Sequence, residues 1–203
     1  GMSSGLRQGL TSYGDNDFSL FLRKAFIKAM GYSDDALERP IVGITNTYSD
    51  YNPCHGNVPQ IIEAVKRGVM LSGAMPMVFP TISIHESFAY PTSMFLRNLM
   101  AMDTEEMIRA LPVDSVVLIG GCDKTVPAHI MAALRIDIPA VIVTAGPMEA
   151  GRYGERTDLT LTDFRIDLAQ YLKEHPGQLE GLPLGTYAVT TSIDADIAPG
   201  VIF

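Results

Sequence analysis

The sequence contains no tryptophan, only two cysteines, and no long run of either basic or apolar residues. Its 15 Lys and Arg residues are dispersed and are outnumbered by 23 Asp and Glu residues, which argues against a nucleic-acid partner. No apolar stretch reaches the roughly 20 residues that a membrane-spanning helix needs. The opening segment, GMSSGLRQGL, lacks the charged, apolar and cleavage regions of a signal peptide. We therefore expect a cytoplasmic protein, in which a structural disulfide is disfavoured.

Two common nucleotide-binding motifs are also missing. No G-x-G-x-x-G pattern opens a predicted helix, and Gly120-Gly121 is followed by Cys-Asp-Lys, which excludes a Rossmann dinucleotide site. A Walker-type phosphate loop does not occur either. What the sequence does contain is 47% hydrophobic residues over 203 positions, which is enough for a sizeable globular core.

Apolar residues recur in two alternating patterns along the first 144 residues. Spacing of three and four predicts helices at 18–30, 58–71, 92–111 and 126–134. Short continuous apolar runs predict buried strands at 40–45, 77–84, 114–120 and 139–144. Such strands, separated by helices, predict an α/β fold with three layers, in which a mostly parallel, doubly wound sheet carries helices on both faces.

The pattern changes after residue 144. Residues 146–163 are rich in Gly, Arg and Thr, which predicts a long loop, whereas 164–173 fit one helix and 186–193 resemble a strand. We divide the chain into a helical lead-in at 1–37, an α/β core at 38–150 and a divergent C-terminal segment of the same domain at 151–203.

Chemically reactive side chains follow the first three predicted strands. They are Cys54 and His55 after the first, His85 and Glu86 after the second, and Cys122, Asp123 and Lys124 after the third. Because ligands bind at the carboxyl ends of the strands in open parallel sheets, this convergence predicts an active site at that edge.

The residue types suggest two kinds of metal, although each residue also has a structural explanation. Cysteine thiolates suit an iron–sulfur cluster or zinc, and the carboxylates of Glu86 and Asp123 suit magnesium. Lys124 could steer a carboxylate, act as a base, or be carbamylated and become an anionic ligand. Alternatively, Asp123 caps the following helix, Lys124 lies on a solvated face, and the cysteines and histidines are structural. A zinc hydrolase that uses both cysteines and a histidine is a further alternative.

Four segments together resemble the dihydroxy-acid and sugar-acid dehydratase family, whose members include phosphogluconate, arabinonate and xylonate dehydratases. The segments are GITNTYSDYNPC at 43–54, PTISIHES at 80–87, RNLMAMDTEEMI at 97–108 and GGCDKTVPA at 120–128. They occur in the family's order, and the resemblance extends over about residues 38–148. The third segment favours the sugar-acid branch.

This resemblance implies a hydro-lyase that removes water from a 2,3-dihydroxy carboxylate to give a 2-keto acid. It implies that Cys54 and Cys122 ligate an iron–sulfur cluster, and that Glu86, Asp123 and a carbamylated Lys124 bind Mg²⁺. Lys124 is also the one catalytic candidate in this chain, because the family's serine base and a further acidic magnesium ligand belong to a C-terminal domain that we do not find here. The implied ligand is a small sugar acid or dihydroxy acid, with no nucleic acid and no membrane.

The chain departs from the family pattern in two places. The counterpart of the family's third cluster cysteine is Gly185-Thr186-Tyr187, which places Tyr187 where a thiolate is expected. The family's sequence also continues well beyond Phe203. We therefore expect a fragment, a subunit that needs a partner or homo-oligomer to cover apolar surface, or a non-catalytic small-molecule or magnesium-binding paralogue that has lost the cluster.

Overall fold

Four parallel strands form the central sheet in the computed structural model, which describes residues 4–10, 13–146, 151–153, 156–159, 173–174, 188–189 and 201–202. The strands are β1 (Ile41–Asn46), β2 (Met75–Pro80), β3 (Ser115–Gly120) and β4 (Ala140–Thr144). Their order is β2-β1-β3-β4. In the register, Ile44 lies opposite Val78 on one side and Val117 on the other. The predicted α/β fold is therefore confirmed.

Successive side chains of the strands feed two separate cores, because they alternate between the faces of a sheet. Val116 and Leu118 of β3 belong to one apolar cluster, whereas Ile119 belongs to another, with Val117 packed against it. Helix α3 (Val58–Leu71) contributes Ile61 to the second cluster. The first cluster receives side chains from helices on the other face of the sheet. Two layers of helices thus enclose the sheet.

Five helices are described in the first of two compact units, Gly1–Ala145 and Gly146–Phe203. Besides α3, they are α1 (Asn16–Ala29), α2 (Asp34–Leu37), α4 (Arg97–Ala110) and α5 (Cys122–Ala133). Asp15 caps α1 by accepting from the N–H of Phe18 at 2.8 Å. The short helix α2 falls where the sequence showed no pattern. Helix α5 begins at Cys122, four residues earlier than its apolar spacing indicated.

Strand β2 ends earlier than its apolar run predicted. The ladder reaches Thr81, whose N–H donates to the carbonyl of Asn46 at 3.2 Å, and the next N–H, that of Ile82, donates to the Asp103 carboxylate on α4 at 2.8 Å. Ile82 and Ile84 pack against a cluster around Met100. The apolar residues after Pro80 are therefore buried by contact with a helix and not by the sheet.

Asp114 anchors the N-terminal segment at the edge of the sheet opposite the predicted site. Its carboxylate accepts from the N–H of Gly5 at 2.9 Å, from the N–H of Ile41 at 2.7 Å, and from the amide of Gln8 at 2.8 Å. Because Ile41 begins β1 and Asp114 precedes β3, the lead-in closes the amino ends of these strands.

In the described residues of the second unit, two short antiparallel pairs are present. β5 (Gly151–Tyr153) pairs with β6 (Arg156–Leu159), and β7 (Ala188–Val189) pairs with β8 (Val201–Ile202). The expectation of a loop throughout 146–163 is therefore wrong where β5 and β6 form. The helix expected at 164–173 lies almost entirely outside the described residues, as does the rest of 186–193 around β7. The division into 1–37, 38–150 and 151–203 stays a prediction.

Among the helices described, none combines the length and apolarity required to cross a bilayer.

Candidate active site

The site lies where the sheet changes direction. From β1 the chain crosses to β2 on one side, and from β2 it crosses to β3 on the other side of β1. The crevice outside the carboxyl ends of β1 and β3 is consequently the topological switch point, where ligands bind in open α/β sheets. The hydroxyl of Thr47 donates to the carbonyl of Ile119 at 2.9 Å. This bond joins the loop after β1 to the end of β3.

The side chain of His55 bridges the two loops that carry the cysteines. Its side chain has 0% exposure. Nδ1 lies 2.6 Å from the carbonyl oxygen of Thr47, and Nε2 lies 2.8 Å from that of Gly121. Desolvation lowers the pKa of the imidazole. His55 therefore has a buried, hydrogen-bonded position that fixes the spacing of the loops.

Gly121 allows these loops to approach each other. A Cβ at this position would lie 2.8 Å from the carbonyl oxygen of Cys54 and 2.9 Å from the Cβ of Ala145. Its backbone has φ −123°, which any residue adopts, so the requirement for glycine comes from the close approach. The adjacent Cys122 has φ 69°, in the left-handed region that a non-glycine residue rarely adopts. Such backbone strain is typical of functional turns.

The two cysteines lie near each other at this point. Cys54 lies in a 3₁₀ turn at Pro53–His55, and Cys122 is the first residue of α5. Both are free and half-buried. A hydrogen bond from Cys122, with a further contribution from His85, lowers the pKa of Cys54 to about 6. Hydrogen bonding to Cys54 first, and then burial, raises the pKa of Cys122.

Lys124 lies between two carboxylates beside the thiols. Its Nζ is 2.8 Å from Oδ2 of Asp123 and 3.5 Å from Oε2 of Glu86. The residue is only 7% exposed, which excludes the alternative of a solvated lysine. Asp123 does not cap α5, whose N-cap Gly121 has no side-chain bond. The hydrogen bond between them raises the pKa of Lys124 and lowers that of Asp123.

Glu86 is held by residues that sequence reasoning missed. Ser93 donates to Oε2 through its N–H at 2.9 Å and also through its hydroxyl, and the Thr92 hydroxyl donates to Oε1 at 2.8 Å. These bonds, those of Ser93 above all, lower the pKa of Glu86 to about 2. Thr92 and Ser93 fall inside the helix predicted at 92–111, but α4 begins only at Arg97, and these two residues are the N-cap and first residue of the preceding 3₁₀ turn. Apolar spacing therefore did not indicate their contact with Glu86.

An aromatic group borders the thiols. The rings of Tyr51 and Phe88 meet edge to face at 5.7 Å, and Phe88 lies 5.9 Å from the ring of His85. His85 Nδ1 accepts from the N–H of Ser87 at 3.2 Å. The charge of His85 helps to lower the pKa of Cys54, so the aromatic group and the thiols are neighbours. Tyr51 and Phe88 were not identified from the sequence.

The donor set fits the implied metals in part. Cys54 and Cys122 offer two adjacent soft ligands, while Tyr187 lies outside the described residues. Within the described part of the chain, no three His, Cys, Asp or Glu side chains are grouped so that they could hold a metal ion. The two carboxylates, however, already surround one cation, the ammonium of Lys124. The residues of both predicted metal sets therefore lie near one another.

Comparison with known proteins identifies a family for this chain. The family described as dihydroxy-acid/6-phosphogluconate dehydratase N-terminal matches residues 39–180. L-arabonate dehydratase from Azospirillum brasilense is 44% identical over 141 residues, which is 69% of this chain and 24% of that protein. Dihydroxy-acid dehydratase from Clostridium botulinum (strain Alaska E43 / Type E3) is 40% identical over 147 residues, or 69% of this chain and 26% of that protein.

A third relative, 6-deoxy-6-sulfo-D-gluconate dehydratase from Pseudomonas putida, is 43% identical over 120 residues, covering 59% of this chain and 21% of that protein. The chain thus spans about a quarter of the length of these relatives. The family match includes β1 to β4 and every predicted site residue from Cys54 to Lys124. The chain therefore belongs to the dihydroxy-acid/6-phosphogluconate dehydratase family.

Proposed function

We propose that this chain serves a hydro-lyase that removes water from a 2,3-dihydroxy carboxylate, of the sugar-acid or dihydroxy-acid class, to give a 2-keto acid. The observation that carries the proposal is the meeting of two thiols with a carboxylate–lysine–carboxylate group at the switch point of the sheet. The relatives support it, since they are dehydratases of acids of this kind.

The thiols and the carboxylates would hold different metals. We assign Cys54 and Cys122 to an iron–sulfur cluster, with a third ligand from elsewhere, and Glu86, Asp123 and carbamylated Lys124 to Mg²⁺. When bound, the cluster would supply a Lewis acid for the departing hydroxyl, and Mg²⁺ would supply one for the substrate carboxylate and 2-hydroxyl.

The charge of Lys124 decides which state of the site holds a divalent cation. As an ammonium, Lys124 neutralises Asp123 and Glu86 and itself occupies the position of a cation between them. Carbamylation replaces this positive charge with a negative one, and the three anionic groups then form a hard oxygen site suited to Mg²⁺. Hydrogen bonds from Thr92 and Ser93 keep Glu86 ionised and oriented.

The reaction requires loss of a proton at C2 and of the hydroxyl at C3, followed by tautomerisation of the enol to the 2-keto acid. Lys124 is the catalytic candidate among the described residues. Its proposed contribution is to position the substrate's carboxylate end through the metal ligands that it contacts. The aromatic pair of Tyr51 and Phe88 borders the site and would limit the access of water.

Metal analysis tests the assignment to the thiols. In protein purified without oxygen, we expect iron, sulfide and visible charge-transfer bands, and we expect Cys122→Ser to lose them. Full iron content in Cys122→Ser would contradict a cluster at this position. Because the chain has only two cysteines, Cys54→Ser is the companion variant and should give the same loss.

Magnesium titration tests the carboxylates separately. Asp123→Asn removes a negative charge from the metal set and should weaken Mg²⁺ binding by at least about tenfold, the lower limit for loss of even an outer-shell partner. Asp137→Asn, at an exposed acid just after α5, is the matched control and should leave the affinity unchanged. Equal affinity in wild type and Asp123→Asn, measured by calorimetry, would refute the assigned role.

The second candidate function is a non-catalytic paralogue that binds Mg²⁺ or a small acid without a cluster. Tyr187 at the position of the third thiolate favours it. A colourless protein that is free of iron and sulfide but still binds Mg²⁺ would decide for this candidate. The absence of nucleic-acid and membrane partners, a homo-oligomeric state and a cytoplasmic location stay predictions.

A further inference from the structure

Helix α1 is apolar on both of its faces. Leu20 and Ile27 on the inner face pack against the first apolar cluster. Arg23 ties the helix to the N-terminal segment, because its guanidinium donates to the carbonyls of Leu6 and Gly9, each at 2.9 Å. A helix at a protein surface ordinarily carries polar residues on its outer face, whereas a helix that is apolar all round is buried. The outer face of α1 therefore has the composition of a contact surface.

The exposed apolar residues on and beside this helix form one patch, which we call the α1 face. Its members are Tyr13, Phe18, Phe21, Ala25, Phe26, Ala29 and Met30. The four aromatic residues are between 51% and 71% exposed, and at roughly 150–250 Å² each they offer about 400–600 Å² in one copy. Met30, at 78% exposure, adds to this area. Two copies together therefore offer about the 1,000 Å² that a specific interface needs.

The sizes of the side chains favour a second copy of α1 as the partner, in antiparallel orientation. Phe18 and Phe21, whose rings stack at 6.5 Å, lie in the N-terminal half of the helix, and Ala25 and Ala29 lie in the C-terminal half. Successive members are three or four residues apart, so they share one stripe. In an antiparallel pair the rings of each helix lie over the alanines of the other. A parallel pair would set ring against ring and methyl against methyl.

Charge favours the same orientation. Asp15 and Asp17 lie at the start of α1, and Lys28 lies in its last turn. Antiparallel packing brings the acidic start of each helix beside the basic end of the other and opposes the two helix dipoles. Lys28 also pairs with the exposed Asp34 at 2.7 Å, so the sizes of the side chains contribute more to the orientation than charge does.

We propose that the α1 face is the interface of a homodimer, in which α1 of one copy packs antiparallel against α1 of a second copy. A contact of this kind uses the same patch on both copies and closes as a two-fold dimer. The helix belongs to the lead-in that closes the amino ends of β1 and β3, whereas the candidate active site lies at their carboxyl ends. The proposal therefore depends neither on the dehydratase activity nor on a bound metal.

Sedimentation velocity of the full chain, over micromolar concentrations, tests the proposal. We expect wild type to form a dimer of the 22.0 kDa chain. Phe21→Glu places a charge in the apolar contact and should raise the dissociation constant at least about tenfold. Phe95→Glu makes the same change at a phenylalanine that is 74% exposed in the turn before α4, and this control should leave the constant unchanged. A monomeric wild type, a dimer that Phe21→Glu leaves intact, or an equal loss in Phe95→Glu would each overturn the proposal.

Mixing two variants tests the antiparallel orientation. Phe18→Lys and Ala29→Glu should each weaken the dimer when alone, because each sets a charge against an apolar side chain. In the antiparallel pair, position 18 of one copy faces position 29 of the other, so an equimolar mixture should form a heterodimer through the new ion pair. A parallel pair would bring position 18 against position 18 and give no recovery. A mixture that stays monomeric, although circular dichroism shows both variants to be folded, would refute the antiparallel arrangement.

Discussion

The burial of His129 makes a quantitative prediction about stability against pH. This residue lies on α5, is 2% exposed, and packs against β3, where a Cβ at Gly120 would lie 3.2 Å from its Cε1. Its Nδ1 is buried and has no hydrogen-bond partner within the described part of the chain. Desolvation, followed by repulsion from His55, lowers its pKa from 6.5 to about 4. The folded protein therefore holds His129 neutral where the unfolded chain protonates it.

The direction follows from proton linkage. A histidine with a lowered pKa in the folded state binds fewer protons than it does in the unfolded state, so its contribution is present above pH 6.5 and is lost as the pH falls towards 4. With these two pKa values, the free energy of unfolding should fall by about 2 kcal/mol between pH 7 and pH 5 on account of His129 alone. Nearly full burial means that solvent screening does not reduce this figure substantially.

Urea denaturation of wild type, His129→Leu and His129→Gln at pH 7 and pH 5 measures the effect. The two variants should differ in stability at pH 7, because one removes the unpartnered nitrogen and the other retains a polar group. Both should nevertheless lose about 2 kcal/mol of the wild-type pH dependence, since neither side chain titrates. Any remaining dependence in this interval includes His55, whose pKa burial also lowers. A pH dependence equal to that of wild type in both variants would refute the reasoning.

Two further substitutions and one control test the packing of the loops and of the N-terminal segment. Gly121→Ala should lower the free energy of unfolding by about 1–3 kcal/mol, because its Cβ would approach the carbonyl oxygen of Cys54 to 2.8 Å. Gly68→Ala is the matched control, at an exposed position of α3 where a Cβ meets nothing within 4 Å. It should raise stability by about 0.5–1 kcal/mol in the same urea assay. Asp114→Asn should cost about 1.5–3 kcal/mol, since it weakens hydrogen bonds to a charged group. Hydrogen exchange at Gly5 and Ile41 should then accelerate, and unchanged protection would contradict the anchoring role.

The predicted strands were found because buried parallel strands are continuous apolar runs, and this signal does not depend on distant residues. The errors have local causes. The apolar run of β2 continued past Pro80, because Ile82 and Ile84 are buried against α4 and a hydropathy pattern does not distinguish that burial from a strand. Helix α5 was predicted to begin too late, since Cys122, Asp123 and Lys124 are polar or small and carry no apolar spacing.

The sequence by itself determined the alternation of strands and helices, the edge of the sheet at which the thiols and carboxylates converge, and the family. Only the tertiary structure decided how these residues meet. Cys54 and Cys122 are in contact because His55 and Gly121 hold two loops together. The carboxylate of Glu86, which follows a different strand, reaches buried Lys124 beside that of its neighbour Asp123. Such pairings join residues distant in the chain, so they depend on how close the backbones approach, which no local pattern of residues records.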